Sequence, residues 1–305
     1  MKILVVDDDP EIIEILAAFL VHAGYEDFAT AGSGAEALAL LDKVTVPFDC
    51  FILDIQMPQM NGTELLKKLR EMPQYKTAPV LKLTAMGDVK NIQGAFAAGA
   101  LDYITKPFEF YEVETRLHAA ETRLASLRNL RNDPAAGLPN MERALVAAVD
   151  RAGRATSGSN SLIPKDAFEN FLYQLKRNHP ERLNILALKV KNLPSLYMRL
   201  SQEGFQYYLT QMIKVLEKTV KEEGFLFTYH GDGAFLVQNT SSTPAQVALL
   251  CNRFSKAIAR MDEAFISVDY VKSRIAFGHS SHECPPEAFQ PVQMLETALS
   301  QAQAA

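Results

Sequence analysis

The residues best placed to do chemistry are carboxylates that end apolar strands. Lys2-Ile3-Leu4-Val5-Val6 runs into Asp7-Asp8-Asp9-Pro10, and Cys50-Phe51-Ile52-Leu53 runs into Asp54, followed by Ile55-Gln56-Met57-Pro58. Like charges crowded at a strand end repel one another and raise each other's pKa values. A bound Mg²⁺ removes that penalty, because it prefers oxygen ligands and is commonly held by one or two carboxylates. Thr84 and Lys106 each come after a further apolar run. A second group lies later in the chain, where Leu188-Lys189-Val190-Lys191 precedes a turn-like His230-Gly231-Asp232-Gly233. Asp and Gly are also the ordinary residues of a hairpin turn.

The elements that must position the first group are legible as an alternation. Strands are predicted at 2–7, 26–30, 49–54, 79–84 and 101–105, with amphipathic segments between them. Asp9-Pro10-Glu11 supplies an N-cap, a proline at the first helical position and an acid in the first turn. Ser33 and Glu36 have the spacing of a capping box. Five strand–helix repeats predict an α/β fold, a doubly wound parallel sheet with helices on both faces. Ligands of such sheets gather beyond the carboxyl ends of the strands. Asp7, Asp8, Asp54, Thr84 and Lys106 all fall at such ends.

In order and spacing these residues resemble the receiver domain of two-component response regulators, over roughly the first 120 residues. The resemblance implies that Asp54 is the phosphoacceptor, giving an acyl phosphate. It implies that Asp8 ligates Mg²⁺ directly and Asp7 through water, with further oxygens from Asp54 and the backbone carbonyl of Gln56. Lys106 and the metal would offset charge on the phosphoryl group. Thr84 would hydrogen-bond the phosphoryl oxygen, and Tyr103 would be the aromatic that moves with it. It implies a histidine kinase or phosphotransfer protein as partner, and a Lys106–Pro107 peptide bond that is often cis.

Composition bounds the rest. A chain of 305 residues exceeds what one core usually serves, so two domains are expected. A net charge of −5 argues against nucleic acid as the main partner. No stretch approaches the roughly 18 apolar residues of a membrane span, and the N-terminus lacks the basic start and apolar core of a secretion signal. Three cysteines without paired spacing fit a reducing, cytoplasmic setting and no zinc site.

The predicted domains are 1–108, whose last helix runs on from 109, a helical connector and flexible linker over 109–161, and 162–305. In the connector Val113, Leu117, Ala120, Leu124 and Leu127 form a short heptad seam, whose early part is expected to pack on its own receiver and whose extension beyond it predicts a homodimer. Prolines and a glycine break the helix at 132–140, and the small polar run 153–161 suggests a flexible linker.

The third segment resembles a diguanylate cyclase (GGDEF) domain, an α/β nucleotide-cyclase-like fold with a mainly antiparallel sheet. Asp133 to Asn140 looks like its lead-in, and Ile163-Pro164-Lys165-Asp166-Ala167-Phe168 looks like part of it a second time. A strand is expected at 183–190, two helices over about 192–223 and a hairpin from Phe225 to Gln238. A late strand is expected around Arg274–Gly278 and a last helix around Met294–Leu299. The departures matter more than the matches. Aligned on Phe235, the acidic pair of the signature becomes Gly233 and Ala234, and Lys189 and Lys191 stand where metal-binding acids would be. The family's product-inhibition positions fall on Glu222 and Phe225. Read instead against class III nucleotide cyclases, Asp232 matches one metal ligand and Lys189 replaces the other. Lysines cannot organise the two-metal chemistry these enzymes use. The expectation is therefore a response regulator that is not an enzyme and signals to an unidentified downstream protein by contact. The alternatives are a nucleotide-sensing module or a divergent, active diguanylate or nucleotide cyclase.

Overall fold

The computed structural model describes residues 1–84, 89–132, 141, 144–149, 161–239, 243–264, 273–280 and 291–304. The chain divides into two compact units, Met1–Pro134 and Ala135–Ala305. The predicted flexible run at 153–160 and the lead-in at 133–140 lie outside the described residues.

In the first unit five strands, β1 (Ile3–Val6), β2 (Phe28–Ala31), β3 (Cys50–Asp54), β4 (Val80–Thr84) and β5 (Asp102–Thr105), alternate with helices. The helices are α1 (Pro10–His22), α2 (Gly34–Leu41), α3 (Gly62–Glu71), α4 (Val89–Ala97) and α5 (Phe110–Asn132). The sheet is parallel in the order β2-β1-β3-β4-β5. Residue alternation divides its core into two layers. Ile3, Val5, Cys50, Ile52, Leu81 and Leu83 pack with Leu16 and Leu20 of α1 and with α5. Leu4, Val6, Phe51, Leu53 and Val80 pack with Ala37 of α2 and with Leu65, Leu66 and Leu69 of α3. With both faces covered, the strands are near-continuous apolar runs, as parallel strands must be.

The helix starts obey local chemistry. Asp9 accepts from the Glu11 N–H and Ser33 from the Glu36 N–H. Asn61 and Glu64 close a full capping box on α3. Helix α5 carries the seam. Val113, Leu117 and Ala120 are fully buried in the first unit's own core, so the early part of the seam packs within the domain. A buried leucine stabilises by roughly 2 kcal/mol, which ties this half of the helix to its own sheet.

The second unit holds β6 (Asn184–Val190), β7 (Phe227–Gly231), β8 (Ala234–Asn239) and β9 (Ile275–Ser280), an antiparallel sheet in the order β7-β8-β6-β9. Its helices are α6 (Lys165–Asn178), α7 (Leu193–Arg199), α8 (Gln202–Glu222), α9 (Pro244–Ala264) and α10 (Pro291–Ala304). One core layer joins Leu186, Leu188, Val190, Phe235 and Val237 to Phe205, Leu209, Met212 and Leu216 of α8 and to Phe254 and Ile258 of α9. Ala144, Leu145 and Ala148 are buried in the same layer, so this part of the predicted connector belongs to the second unit. Helix α10 crosses β9 so closely that a methyl group at Gly278 would strike the backbone of Ala298. Inside this unit the buried Asp262 accepts from Tyr208 Oη at 3.1 Å and from the Ser273 N–H at 2.7 Å. Among the described residues no helix is long and apolar enough to cross a membrane.

Candidate functional site

Three carboxylates meet at the carboxyl ends of β1 and β3. Oxygens of Asp7, Asp8 and Asp54 all lie within 4.8 Å of one another. Asp7 and Asp54 are buried and Asp8 is exposed, so the group has a closed floor and an open side. Lys106 reaches in from beyond β5, its Nζ 2.7 Å from Asp7 Oδ2 and 2.6 Å from Asp54 Oδ1. The Lys106 N–H donates to the Thr84 carbonyl at 2.7 Å, which fixes the start of that segment against β4. The Lys106–Pro107 peptide bond is cis.

Burial and company set the electrostatics. Burial pushes the Asp7 carboxyl above its ordinary value, against the hydrogen bonds from Lys106 and the Asp9 N–H, and the neighbouring Asp54 pushes the same way. Burial alone would lower Lys106, but its bonds to Asp54 and Asp7 carry the ammonium above its usual value. One lysine facing three carboxylates leaves an excess of negative charge. A donor set made only of carboxylate oxygens suits a hard divalent cation, so the residues present fit Mg²⁺. Asp7, Asp8 and Asp54 would hold it, with Gln56 on the adjoining loop. The ion would supply a positive charge for oxygens arriving from solvent.

That loop, 55–61, is braced at both ends. The Ile55 N–H donates to the Leu83 carbonyl at 3.0 Å and the Gly62 N–H to the Ile55 carbonyl at 3.1 Å. A methyl group at Gly62 would collide with the carbonyl oxygen of Asp54, so only glycine lets α3 start this close to the end of β3. Between them Gln59 has φ +64°. Thr84 is buried at the end of β4, and Tyr103 is buried with its ring edge-on to Phe96, 6.3 Å between centroids. The structure thus brings together Asp7, Asp8, Asp54 and Lys106, and places Thr84 on the strand next to β3 and Tyr103 on the strand beyond it.

Three features of this region are not among the residues singled out from sequence. Gly62 is one. The ion pair of buried Asp102 with Arg116, at 2.7 Å, is another and anchors α5 to β5. The third is Lys82, which is fully buried in the middle of β4. A signal for it exists, since a lysine inside Val80-Leu81-Lys82-Leu83 has no solvated face to point to if the sheet is covered on both sides.

The second group of candidates lies at the tip of the β7–β8 hairpin. Lys189 Nζ donates to both the carboxylate and the backbone carbonyl of Asp232. Asp232 has φ +49°, between Gly231 at +124° and Gly233 at +70°. The Gly233 N–H donates to Tyr229 Oη at 3.1 Å, and the Val190 N–H to the Gly233 carbonyl at 3.0 Å. A side chain at Gly233 would strike Leu193. Lys189, Gly231, Asp232 and Gly233 therefore form a strapped hairpin tip in which the lysine's charge is matched within the chain. Lys191 lies past the end of β6, exposed, with its N–H donated to the Arg274 carbonyl.

The likenesses to known proteins fall on the first unit. The response regulator receiver domain family matches residues 3–118. Transcriptional regulatory protein CrdR of Helicobacter pylori is 36% identical over 140 residues, 46% of this chain and 60% of that protein. The CpxR homolog of Haemophilus influenzae, also a transcriptional regulatory protein, is 39% identical over 129 residues, 42% of this chain and 53% of its own length. Among solved structures, chemotaxis protein CheY4 of Vibrio cholerae is 37% identical, with a TM-score of 0.37, covering 39% of this chain and 97% of that one. The chain spans about half the length of the curated relatives it matches. Within those limits, residues 3–118 are a response regulator receiver domain of a two-component system.

Proposed function

We propose that the chain is a phosphorylated response regulator that signals through a second domain without nucleotide chemistry. The observation that carries this is the open carboxylate cluster of Asp7, Asp8 and Asp54 with Lys106 held between two of its members. An Asp54 oxygen would form a bond to phosphorus as the P–N bond of a phosphohistidine, or the P–O bond of acetyl phosphate, breaks. The leaving group departs with the electron pair. The donor is a histidine kinase or phosphotransfer protein. Lys106 stabilises charge on the transferred group, and Mg²⁺ held by the carboxylates would do the same. Thr84 then donates to a phosphoryl oxygen, and Tyr103 moves with it. The added charge biases a two-state element, and α5 carries the change onward.

For the second domain the strapped hairpin supports a degenerate GGDEF-like module. Lys189 is already paired with Asp232, so it is not standing ready for a triphosphate, and Gly233 offers no metal ligand. Output is then by contact with a downstream protein or a second copy of the chain, the latter through α5 beyond Ala120. The test is light scattering of the protein with Mg²⁺ before and after beryllofluoride, a phosphoryl mimic, with GTP binding measured in parallel. A changed oligomeric state without nucleotide binding is the expected result. GTP binding, or cyclic product from GTP or ATP, would overturn the non-enzymatic reading of the second domain.

A further inference from the structure

Lys82 is the least expected side chain in the first unit. It is fully buried in β4, in register with Leu53 of β3 on one side and Tyr103 of β5 on the other. Its Nζ donates to Thr63 Oγ1 at 2.6 Å. Thr63 is in the first turn of α3, directly after Gly62, which lies against the carbonyl of Asp54. Among the described residues, the charges that act on this amine are of its own sign. Lys67 and Arg70 approach from α3, and the first turn of that helix presents the positive end of its dipole. Burial, reinforced by those two cations, lowers the amine to about 7. An apolar side chain of the same length would fill the space without these costs. What the amine provides instead is one short, directional tie between the middle of β4 and the start of α3.

That tie bears on the site because of what lies between its ends. Loop 55–61 begins at Asp54 and ends at Gly62, and it carries Gln56. Its exit is held by the Gly62 N–H bond to Ile55 and by the position of the first turn of α3. Whatever fixes that turn fixes the loop. We propose that Lys82 is a positioning residue for the receiver's metal site, acting through Thr63 to hold the first turn of α3, and hence loop 55–61, against Asp54. The assignment rests on the phosphoacceptor function proposed above and adds a residue on the buried side of the sheet to it.

The experiment is calorimetric titration of the full chain with Mg²⁺, comparing the parent with Lys82→Met, Thr63→Val and the double variant. Losing one positioning hydrogen bond is expected to weaken Mg²⁺ binding about fivefold in either single variant. The double variant should be no weaker than either alone, because both remove the same tie. The thermal midpoint of Lys82→Met should not fall, which separates loss of positioning from loss of fold. Parent-like Mg²⁺ binding in both single variants would overturn the proposal. So would additive effects, or weakening by Lys82→Met with no effect of Thr63→Val. Labelling by acetyl phosphate, run alongside with Asp54→Ala, keeps the two ideas apart. A parent labelled no better than Asp54→Ala would sink the phosphoacceptor function, whereas a labelled parent with indifferent Lys82 variants would sink only this inference.

Discussion

Replacing Lys82 with methionine should make the receiver more stable at neutral pH and remove a pH dependence that the parent shows. An ordinary lysine titrates at 10.5 and this one at about 7, with burial as the main cause. At about 1.4 kcal/mol for each pH unit, that difference corresponds to roughly 5 kcal/mol of destabilisation when the proton is fully present in both states. Below about 7 the folded and unfolded chains both hold the proton, and the penalty is complete and constant. Between about 7 and 10.5 the unfolded chain holds a proton that the folded chain has released, so stability rises with pH. Above 10.5 both are neutral and the penalty is gone. The gain from Lys82→Met is thus largest at pH 7 and shrinks toward pH 10. Pulsed hydrogen exchange across a urea series, read by mass spectrometry at peptides covering β3 and β4, reports the first unit alone. Parallel stability curves for parent and variant between pH 7 and 10 would refute the reasoning. A variant less stable than the parent at pH 7 would do so as well.

Other substitutions test separate parts of the structure. Gly62→Ala should cost at least about 2 kcal/mol, because its methyl group meets the Asp54 carbonyl, and the same variant should lose acetyl phosphate labelling; thermal melts and phosphate-affinity electrophoresis read the two effects. Lys106→Met should tighten Mg²⁺ binding, since it removes the cation competing for Asp7 and Asp54, while slowing labelling of Asp54. Weaker Mg²⁺ binding in that variant would mean the lysine helps to build the metal site. In the second unit Asp262→Ala removes the acceptor shared by the Tyr208 hydroxyl and the Ser273 N–H and hydroxyl, leaving the two hydroxyls to each other, a loss of roughly 2 kcal/mol by urea unfolding. A loss below about 1 kcal/mol would show that solvent reaches these groups.

The first unit is legible in the sequence because each of its rules is local. Buried parallel strands read as apolar runs, Asp9 and Ser33 announce their helices, and acids at strand ends fall together once the strands are parallel and adjacent. Lys82 is not legible in the same way, because its significance depends on both faces of the sheet being covered, which no residue near it states. The strapped hairpin illustrates a different limit. Lys189 and Asp232 are forty-three residues apart, and only the register of β6 on β8, with Lys189 opposite Ala234, brings the lysine to the hairpin tip. The seam on α5 is an apolar stripe whose early part packs on the receiver's own sheet, as its place directly after β5 implies. Spacing identifies a stripe that must be buried, but it does not say whether the burying surface belongs to the same chain. The tie of Asp262 to Tyr208 and Ser273 spans two helices and a strand approach, and has no local sign at all.

Helix α5 has a consequence of another kind. Its 23 residues make a rod of about 35 Å, rooted by Val113, Leu117, Ala120 and the Arg116–Asp102 pair near its start. A rod fixed at one end delivers its far end at a defined angle as well as a defined distance. Each residue added between Ala120 and Asn132 turns the far end of the helix itself by about 100°. Seven residues added there return it to within about 20° of the starting angle. The length of this segment is therefore a phase setting. Under the proposed relay through α5, insertions of seven residues should preserve the response of the second domain to beryllofluoride. Insertions of two or five, which turn the far end to nearly the opposite side, should abolish it even though both halves remain folded.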